Sequence, residues 1–427
     1  MTQVSFLHRR TFMKWAGALP VFATIAMQDL AEKAWGAVGK STKDNIYTRI
    51  GVRPFINARG TWTYLSGSLE LPEVRTAKQQ ASMHFVDIFE LQRGVGKRLA
   101  ELSGAESGMV TSGAAGAMAA ATAGCMAGSD PARVWQLPDT TGLKNEVVML
   151  GGRSAFDSAI RLAGARLVEA HTHEELQGAI NDKTAMVYTT ALGEPLEKAL
   201  AICKKNGVPL LLDDAAGIPP IENLKLYARM GIDLYAFSGG KGLRGPQCSG
   251  LLLGRKDLIE AALANSSPWE GAVCRAMKVG KEEIMGCLTA VETWVNRDLH
   301  ALNQEWRSRV DRIARLVETA PGVTTEIRIP EGGNRYPTLL VRWDEKAWGF
   351  TVADCDRELR AGEPRIEVLT SNNPSLVPVL HEGDAKSPSR SDQLEIVSMT
   401  LQTGEELMVG RRLREILNAA RKASRRS

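Results

Sequence analysis

The stretch FSGGKGLRGPQ, residues 237–247, places Lys241 between glycines directly after an apolar segment at 234–237. Apolar runs without polar alternation are typical of strands that are covered on both faces of a parallel sheet. A lysine at the end of such a strand is poorly placed for a solvated surface role. Burial favours the neutral amine that a nucleophilic lysine needs. The stretch therefore predicts an α/β sheet with a reactive lysine at its edge.

The same alternation of strand and helix extends to both sides of this stretch. Further strands are predicted at 146–150, 166–169, 185–188 and 208–212, and helices at 155–164 and 223–230. Gly231 ends the second helix. Because the strands are separated by turns and helices, the sequence predicts an α/β domain with a mostly parallel sheet.

The pattern changes past about residue 300. A long amphipathic helix at 302–319 leads to a strand at 337–343, and further helices are predicted at 352–361 and 405–420. These elements predict a smaller α+β domain at the C-terminus. The predicted organisation is a signal segment at 1–37, an N-terminal arm and large domain at 45–300, and a small domain at 301–427.

Two other motifs belong with Lys241. Residues 111–117, TSGAAGA, form a turn of small residues before a helix, where free backbone N–H groups can bind a phosphate. The strand 208–212 delivers Asp213 to the sheet edge where α/β proteins bind ligands, and Lys241 follows 28 positions later. Each motif alone has a plainer interpretation, namely tight packing for the turn and a helix cap for the acid.

Together, the lysine, the acid and the phosphate turn form a constellation suited to pyridoxal 5′-phosphate (PLP). The chain resembles the fold type I, aspartate-aminotransferase-like PLP enzymes. Within them it resembles the branch of selenocysteine synthase, L-seryl-tRNA(Sec) selenium transferase, and of D-glucosaminate-6-phosphate ammonia-lyase. The stretches that carry the resemblance are 57–61, 111–115, 237–247 and 275–281.

The resemblance implies a role for each matching residue. Lys241 would form the Schiff base with PLP, and Asp213 would hold the pyridine nitrogen, because the family's aspartate lies four positions after a proline, here Pro209. Whether Asp213 or its neighbour Asp214 does so is left open. Ala215 would lie against one ring face, with Phe156 a candidate for the other. The phosphate would be held by Ser112, Gly113, Ala114 and Ser238.

The resemblance also implies a reaction. We expect α,β-elimination of the ammonia-lyase type on an amino acid or amino sugar acid, through an external aldimine that frees Lys241 to move protons. An aminotransferase or a selenium-transferase-like enzyme would use the same residues, and a catalytically inert binding protein could keep the fold. A homodimer or larger homo-oligomer is also implied, because sites of this fold usually form between subunits.

Composition excludes several other classes of protein. The 427 residues are 44% apolar, which excludes a disordered chain. Lys and Arg number 53 against 49 Asp and Glu, and part of the excess lies in the two ends, so a nucleic-acid partner is not expected. The six cysteines show no CxxC pair, and His171 and His173 have no third ligand nearby in the sequence, so no metal is expected. Candidates for binding a substrate anion are Arg244, Arg275, Lys278, Lys281 and Arg365.

The N-terminus has the features of a targeting segment. Arg9 and Arg10 precede an apolar run at 15–27 that contains no charged residue, and small residues follow near position 26 and at 34–37. This order is typical of a twin-arginine signal, and the run is short for a membrane span. The sequence therefore predicts export to the periplasm by the twin-arginine route, with no membrane span left after signal removal.

Overall fold

The computed structural model describes residues 45–370, apart from 332 and 334, and residues 393–425. The predicted signal segment, residues 1–37, lies outside the described residues. The strands are β1 Phe55–Ala58, β2 Ser107–Thr111, β3 Glu146–Leu150, β4 Arg166–Ala170, β5 Thr184–Thr189, β6 Leu210–Asp213, β7 Leu234–Ser238, β8 Gly250–Gly254, β9 Thr324–Arg328, β10 Thr338–Arg342, β11 Arg365–Val368 and β12 Gln393–Val397.

Helices separate most of these strands. They are α1 Pro72–Ser82, α2 Ile88–Ser103, α3 Gly113–Ala127, α4 Pro131–Gln136, α5 Ser158–Leu162, α6 His173–Ala179, α7 Glu194–Asn206, α8 Asn223–Met230, α9 Lys256–Ala264, α10 Lys281–Val295, α11 Leu299–Val317, α12 Glu345–Trp348, α13 Val352–Ala361 and α14 Glu405–Ser424.

The large sheet has seven strands in the order β2-β8-β7-β6-β5-β3-β4. Strands β7, β6, β5, β3 and β4 are parallel to their neighbours in this order, whereas β8 runs antiparallel to both β2 and β7. The predicted mostly parallel sheet is therefore confirmed. Because β8 reverses direction between them, β2 and β7 end at the same edge of the sheet as β6.

Both faces of this sheet are covered, as the apolar strands require. Leu210 and Leu212 of β6 belong to one core, with Tyr227 of α8. Leu211, between them, belongs to the core on the opposite face, which contains most of the alanines of α3. The alanines of α3 are small enough for it to be buried nearly all round, and a Cβ on its Gly124 would lie 2.8 Å from the backbone nitrogen of Ala262 in α9.

A third core lies under the smaller sheets. Strands β12, β10 and β9 form an antiparallel sheet, and β1 pairs in parallel with β11. Ile56 and Ala58 of β1 pack in this core with residues of α11 and α14. The first strand of the chain, β1, thus lies beside β11, a strand near its C-terminal end. The segment after β1 then reaches the edge of the large sheet. The predicted domain bounds at 45–300 and 301–427 stay a prediction.

One predicted element differs clearly from the structure. The helix predicted at 155–164 is a turn of 3-10 helix, Ala155–Asp157, followed by the short α5. The Ser154 side chain accepts a hydrogen bond from the Phe156 backbone N–H, which tightens this first turn. In contrast, α8 and α13 have the predicted bounds.

The contact between α2 and β2 generates a prediction. A Cβ on Gly96 would lie 2.3 Å from the backbone oxygen of Gly108, whereas a Cβ on Gly94 of the same helix would meet nothing within 4 Å. Gly96→Ala should lower the free energy of unfolding by about 1–3 kcal/mol through overpacking. Gly94→Ala should raise it by up to about 1 kcal/mol, because alanine favours a helix.

Urea unfolding of the two variants beside the parent chain measures this difference. An unfolding midpoint for Gly96→Ala at or above that of Gly94→Ala would contradict the close approach of helix and strand.

Candidate active site

The eight site residues predicted from the sequence line one cavity of about 700 Å³. It lies at the edge of the large sheet where β2, β6 and β7 end, which is where α/β sheets bind ligands. The structure therefore brings together residues that are up to 129 positions apart. They are Ser112, Gly113, Ala114, Asp213, Asp214, Ala215, Ser238 and Lys241.

An anion cup forms one end of this cavity. Ser112 is the N-cap of α3, and its side chain makes no capping hydrogen bond. Gly113 has φ +77°, a conformation that favours glycine. A Cβ on Gly250 would lie 2.4 Å from the carbonyl carbon of Gly113, so only glycine lets β8 approach this turn. The first N–H groups of a 15-residue helix thus face the cavity, an arrangement that binds anions.

Asp213 is buried on the sheet face that carries α3. Its Oδ2 accepts a hydrogen bond from the Tyr188 hydroxyl at 3.0 Å, and its Oδ1 accepts one from the Ala215 backbone N–H at 3.1 Å. Burial raises the pKa of the Asp213 carboxyl, and the Tyr188 hydroxyl, the Lys241 charge and the Ala215 N–H oppose this shift. The carboxylate therefore gains from any further positive charge in the cavity.

Asp214 reaches the opposite face of the sheet. Its Oδ2 accepts a hydrogen bond of 2.6 Å from Tyr227, which belongs to the core on that face. A Cβ on Gly217 would lie 1.7 Å from the same oxygen, so the carboxyl group is packed against the backbone there. Burial again raises its pKa. Of the two acids, Asp213 is the one whose carboxyl group shares a sheet face with the anion cup.

Lys241 is half-buried between these groups. Burial lowers the pKa of its amine, and the negative charges of Asp213 and Asp214 oppose that shift only in part. The amine loses its proton at a lower pH than a free lysine does. This is the protonation state that a nucleophile or a general base needs.

The loop that carries Lys241 is held by a segment that the sequence analysis did not assign. The Ser68 hydroxyl is 3.0 Å from the carbonyl oxygen of Gly240 and 2.7 Å from that of Lys241. A Cβ on Gly67, which has φ +67°, would lie 2.6 Å from the Gly240 oxygen. Gln247 donates to the carbonyl of Thr63 at 2.8 Å. In the sequence, the signal that could have pointed to this segment is the stretch 57–61 just before it, which is one of those that resemble the family.

Other cavity residues lie outside the predicted set or were only candidates. Phe156 lines the cavity and is 61% exposed. Further lining residues that were not predicted include Thr61, Thr190, Leu192, Gln247 and Cys248. Thr61 lies in the family-like stretch 57–61, whereas nothing in the local pattern around Thr190 and Leu192 marks a site.

None of the five predicted anion-binding residues lines this cavity. Arg365 is bound to Glu367, and Lys281 to Glu282. Arg244 lies three positions after Lys241 but lines a separate cavity. Within the described ranges no group of three or more His, Cys, Asp and Glu side chains is arranged to hold a metal ion. In that same part of the chain, no helix combines the length and apolarity needed to cross a membrane.

Comparison with known proteins gives relatives for nearly the whole chain. A family model described as Aminotransferase class-V matches residues 160–284. D-glucosaminate-6-phosphate ammonia lyase of Salmonella typhimurium (strain 14028s / SGSC 2262) is 31% identical over 393 residues, which cover 88% of this chain and 99% of that protein. A solved structure titled as that of D-glucosaminate-6-phosphate ammonia-lyase superposes with a TM-score of 0.72 at 30% identity, over 88% of this chain and 99% of that one.

Two further relatives carry other names. 5'-C-glycyluridine monooxygenase-decarboxylase of a Streptomyces species is 33% identical over 390 residues, 87% of this chain and 92% of that protein. L-seryl-tRNA(Sec) selenium transferase of Moorella thermoacetica is 25% identical over 355 residues, 71% of each chain. The relatives thus share a fold and differ in the reactions that their names describe.

Proposed function

Because this chain belongs to the family of PLP-dependent enzymes that includes D-glucosaminate-6-phosphate ammonia-lyase, we propose that it catalyses an α,β-elimination on an amino acid or an amino sugar acid. The observation that carries the proposal is the 31% identity to that lyase over 99% of its length. The net reaction would convert a β-hydroxy-α-amino acid into a keto acid and ammonia.

The cavity residues fit the cofactor. The buried Asp213 carboxyl, whose pKa burial raises, gains from a positively charged ring nitrogen. The N-terminus of α3 suits a phosphate group, and Ser238, the last residue of β7, lines the same cavity. Ala215 offers a small side chain at the cavity wall. Asp213, rather than Asp214, takes the role at the ring nitrogen, because Tyr227 and Gly217 hold Asp214 on the other face of the sheet.

The residues of this chain would divide the work as follows. Bound PLP supplies a sink for the electrons that the substrate Cα releases when its proton leaves. Lys241 Nζ takes that proton, since burial favours its neutral form, and returns it to the leaving hydroxyl. Asp213 stays ionised, supported by the Tyr188 hydroxyl and the Ala215 N–H. The segment around Ser68 keeps the Lys241 loop in place.

A second candidate function follows from the other close relative. The 33% identity to 5'-C-glycyluridine monooxygenase-decarboxylase favours a reaction that consumes dioxygen and releases carbon dioxide. The cavity described above would serve either reaction, because Lys241 and Asp213 would hold PLP in both. The two reactions are distinguished by their products, which are ammonia and a keto acid for the elimination and carbon dioxide for the decarboxylation.

We expect purified, PLP-loaded protein to release ammonia and a keto acid from at least one member of a panel of D-glucosaminate 6-phosphate, D-serine and L-serine. Lys241→Ala should slow this release by at least about a hundredfold, because a positioned general base contributes on that order. Borohydride should leave PLP covalently attached to the parent chain and not to the variant. Lys256→Ala, at an exposed lysine of α9, is the matched control and should keep both properties.

Each other outcome has a distinct meaning. Dioxygen uptake with carbon dioxide release would replace the lyase by the second candidate. Transfer of the amino group to an added keto acid, without ammonia, would indicate a transferase. Covalent retention of PLP by a protein that converts no compound of the panel would leave an inert binding protein.

Tyr188 and Tyr227 give a matched pair of variants for the role of Asp213. The ionised Asp213 carboxylate attracts the cofactor, so PLP retention should fall as the pH falls through its pKa. Tyr188→Phe removes a hydrogen-bond donor that lowers this pKa, so retention should be lost at a pH higher by about one unit. Visible absorption of bound PLP against pH measures the shift.

Tyr227→Phe removes the equivalent hydrogen-bond donor to Asp214. It should leave unchanged the pH at which PLP retention is lost. A shift in Tyr227→Phe without one in Tyr188→Phe would transfer the role to Asp214.

We also propose that the chain is exported by the twin-arginine route, on the basis of Arg9, Arg10 and the apolar run after them. In a bacterium that has this route, the full chain should accumulate in the periplasm. Replacing both residues, by Arg9→Lys and Arg10→Lys, should leave it in the cytoplasm. Equal periplasmic fractions of the two chains would refute the proposal. The homo-oligomer stays a prediction.

A further inference from the structure

A second cavity, of about 370 Å³, lies on the other side of the Lys241 loop. Arg244, Arg297 and Arg309 line it, with Glu305 as the one acidic residue in its wall. It shares no lining residue with the 700 Å³ cavity. The proposed function uses none of these three arginines, so their convergence needs another explanation.

Arg244 is held in an unusual conformation. Its φ is +55°, and only one other non-glycine residue in the described ranges, Ser66, has a positive φ. Such backbone costs free energy and persists where surrounding contacts fix it. Its Nε donates to the carbonyl of Leu69 at 2.9 Å, and no hydrogen bond joins its two Nη groups to any described residue. The conformation therefore brings two open donor groups to the cavity.

The other two arginines approach from helices. Arg309 of α11 is buried and donates to the Leu401 carbonyl and to Glu305. Arg297, just after α10, has its guanidinium 5.7 Å from the centroid of the Trp294 ring, and its Nη2 is 3.9 Å from Glu73. That distance leaves the Arg297 guanidinium free to bind another partner more closely.

The positive charges are not fully balanced by the protein. Burial lowers the pKa of Arg244, and the charges of Arg297, Arg309 and Arg75 lower it further, while Glu73 opposes them. Guanidinium groups that repel one another in a half-buried cavity would each be stabilised by an anion between them. Several guanidinium groups can donate in parallel to the oxygens of one anion.

We propose that this cavity binds a phosphate group, held by Arg244, Arg297 and Arg309. Its volume of about 370 Å³ has room for inorganic phosphate or for a small phosphomonoester, and both carry the group that the arginines would bind. The segment at Ser68 and Leu69 connects this site to the active-site cavity. Arg244 holds Leu69, and the adjacent Ser68 donates to the carbonyl of Lys241. An occupant would hold the segment that supports the reactive lysine.

The test uses the full chain loaded with PLP, so that the anion cup of α3 is filled. Calorimetric titration of inorganic phosphate in phosphate-free buffer should show one site. Arg297→Met should weaken it at least about tenfold, because a charged donor is lost. Arg98→Met, at an exposed arginine of α2 paired with Glu292 and Glu101, is the matched control and should bind as the parent does.

Glu305→Gln provides a gain of affinity that a folding defect cannot imitate. This change removes the carboxylate that occupies Arg309, so phosphate should bind more tightly. Absence of binding to the loaded parent chain would overturn the proposal. Equal binding by Arg297→Met, Glu305→Gln and the parent would also overturn it, since the phosphate would then lie elsewhere.

A second titration separates the two sources of the phosphate group. Glycerol 3-phosphate that binds more tightly than inorganic phosphate, with the same dependence on Arg297 and Glu305, assigns the site to a phosphomonoester. The reverse order assigns it to the free ion. Neither titration requires turnover, so failure of the proposed elimination would leave this result unaffected.

Discussion

At the carboxyl edge of the large sheet, backbone segments approach one another so closely that no side chain fits between them. Gly250 faces the first turn of α3, Gly67 faces the Gly240 carbonyl, and a Cβ on Gly240 would lie 2.6 Å from the Cα of Gln247. These contacts bring the anion cup, the Lys241 loop and the N-terminal segment around one cavity. Because a Cβ at any of these places would push a wall outward, the position of each reacting group depends on them.

The charges in this cavity depend on the same packing. Two buried carboxyl groups and one half-buried amine share the cavity. Two hydrogen bonds compensate Asp213 and one compensates Asp214, whereas the Lys241 amine is compensated by the charges of these two acids. Tyr188 and Tyr227 come from opposite faces of the sheet and direct Asp213 and Asp214 apart. Adjacent acids in the sequence therefore have different environments, and only one of them shares a face with α3.

The sequence was sufficient to predict the parallel strands of the large sheet and the groups at their edge, but not the antiparallel strand β8. Strands β3, β5, β6 and β7 contain continuous apolar runs, and the residues that follow a parallel strand must emerge at a known edge. Asp213 and Lys241 were predicted for that reason. The same reasoning did not separate Asp213 from Asp214, because the distinction lies with hydroxyl groups 25 and 13 residues away along the chain.

The long-range packing of the N-terminal segment was not predictable from local pattern either. Ser68 reaches the Lys241 carbonyl across 173 positions, and no periodicity encodes such a contact. Nor did the sequence distinguish Arg244 from the other basic residues near it. Its side chain lines the arginine cavity, and its backbone has a positive φ, which a sequence rarely reveals for a residue other than glycine.

Differences in reaction among the relatives must arise in the parts of the cavity that do not hold the cofactor. In the proposed function Lys241, Asp213 and the α3 turn hold the cofactor, so they would not select a substrate. The remaining wall includes Thr61 and Thr63 from the N-terminal segment. The N-terminal segment also holds the Lys241 loop through Ser68 and contacts Arg244 through Leu69. One short stretch of chain therefore connects the substrate side of the cavity, the reactive lysine and the arginine cavity. A change in that stretch would therefore act on specificity and on the position of Lys241 together.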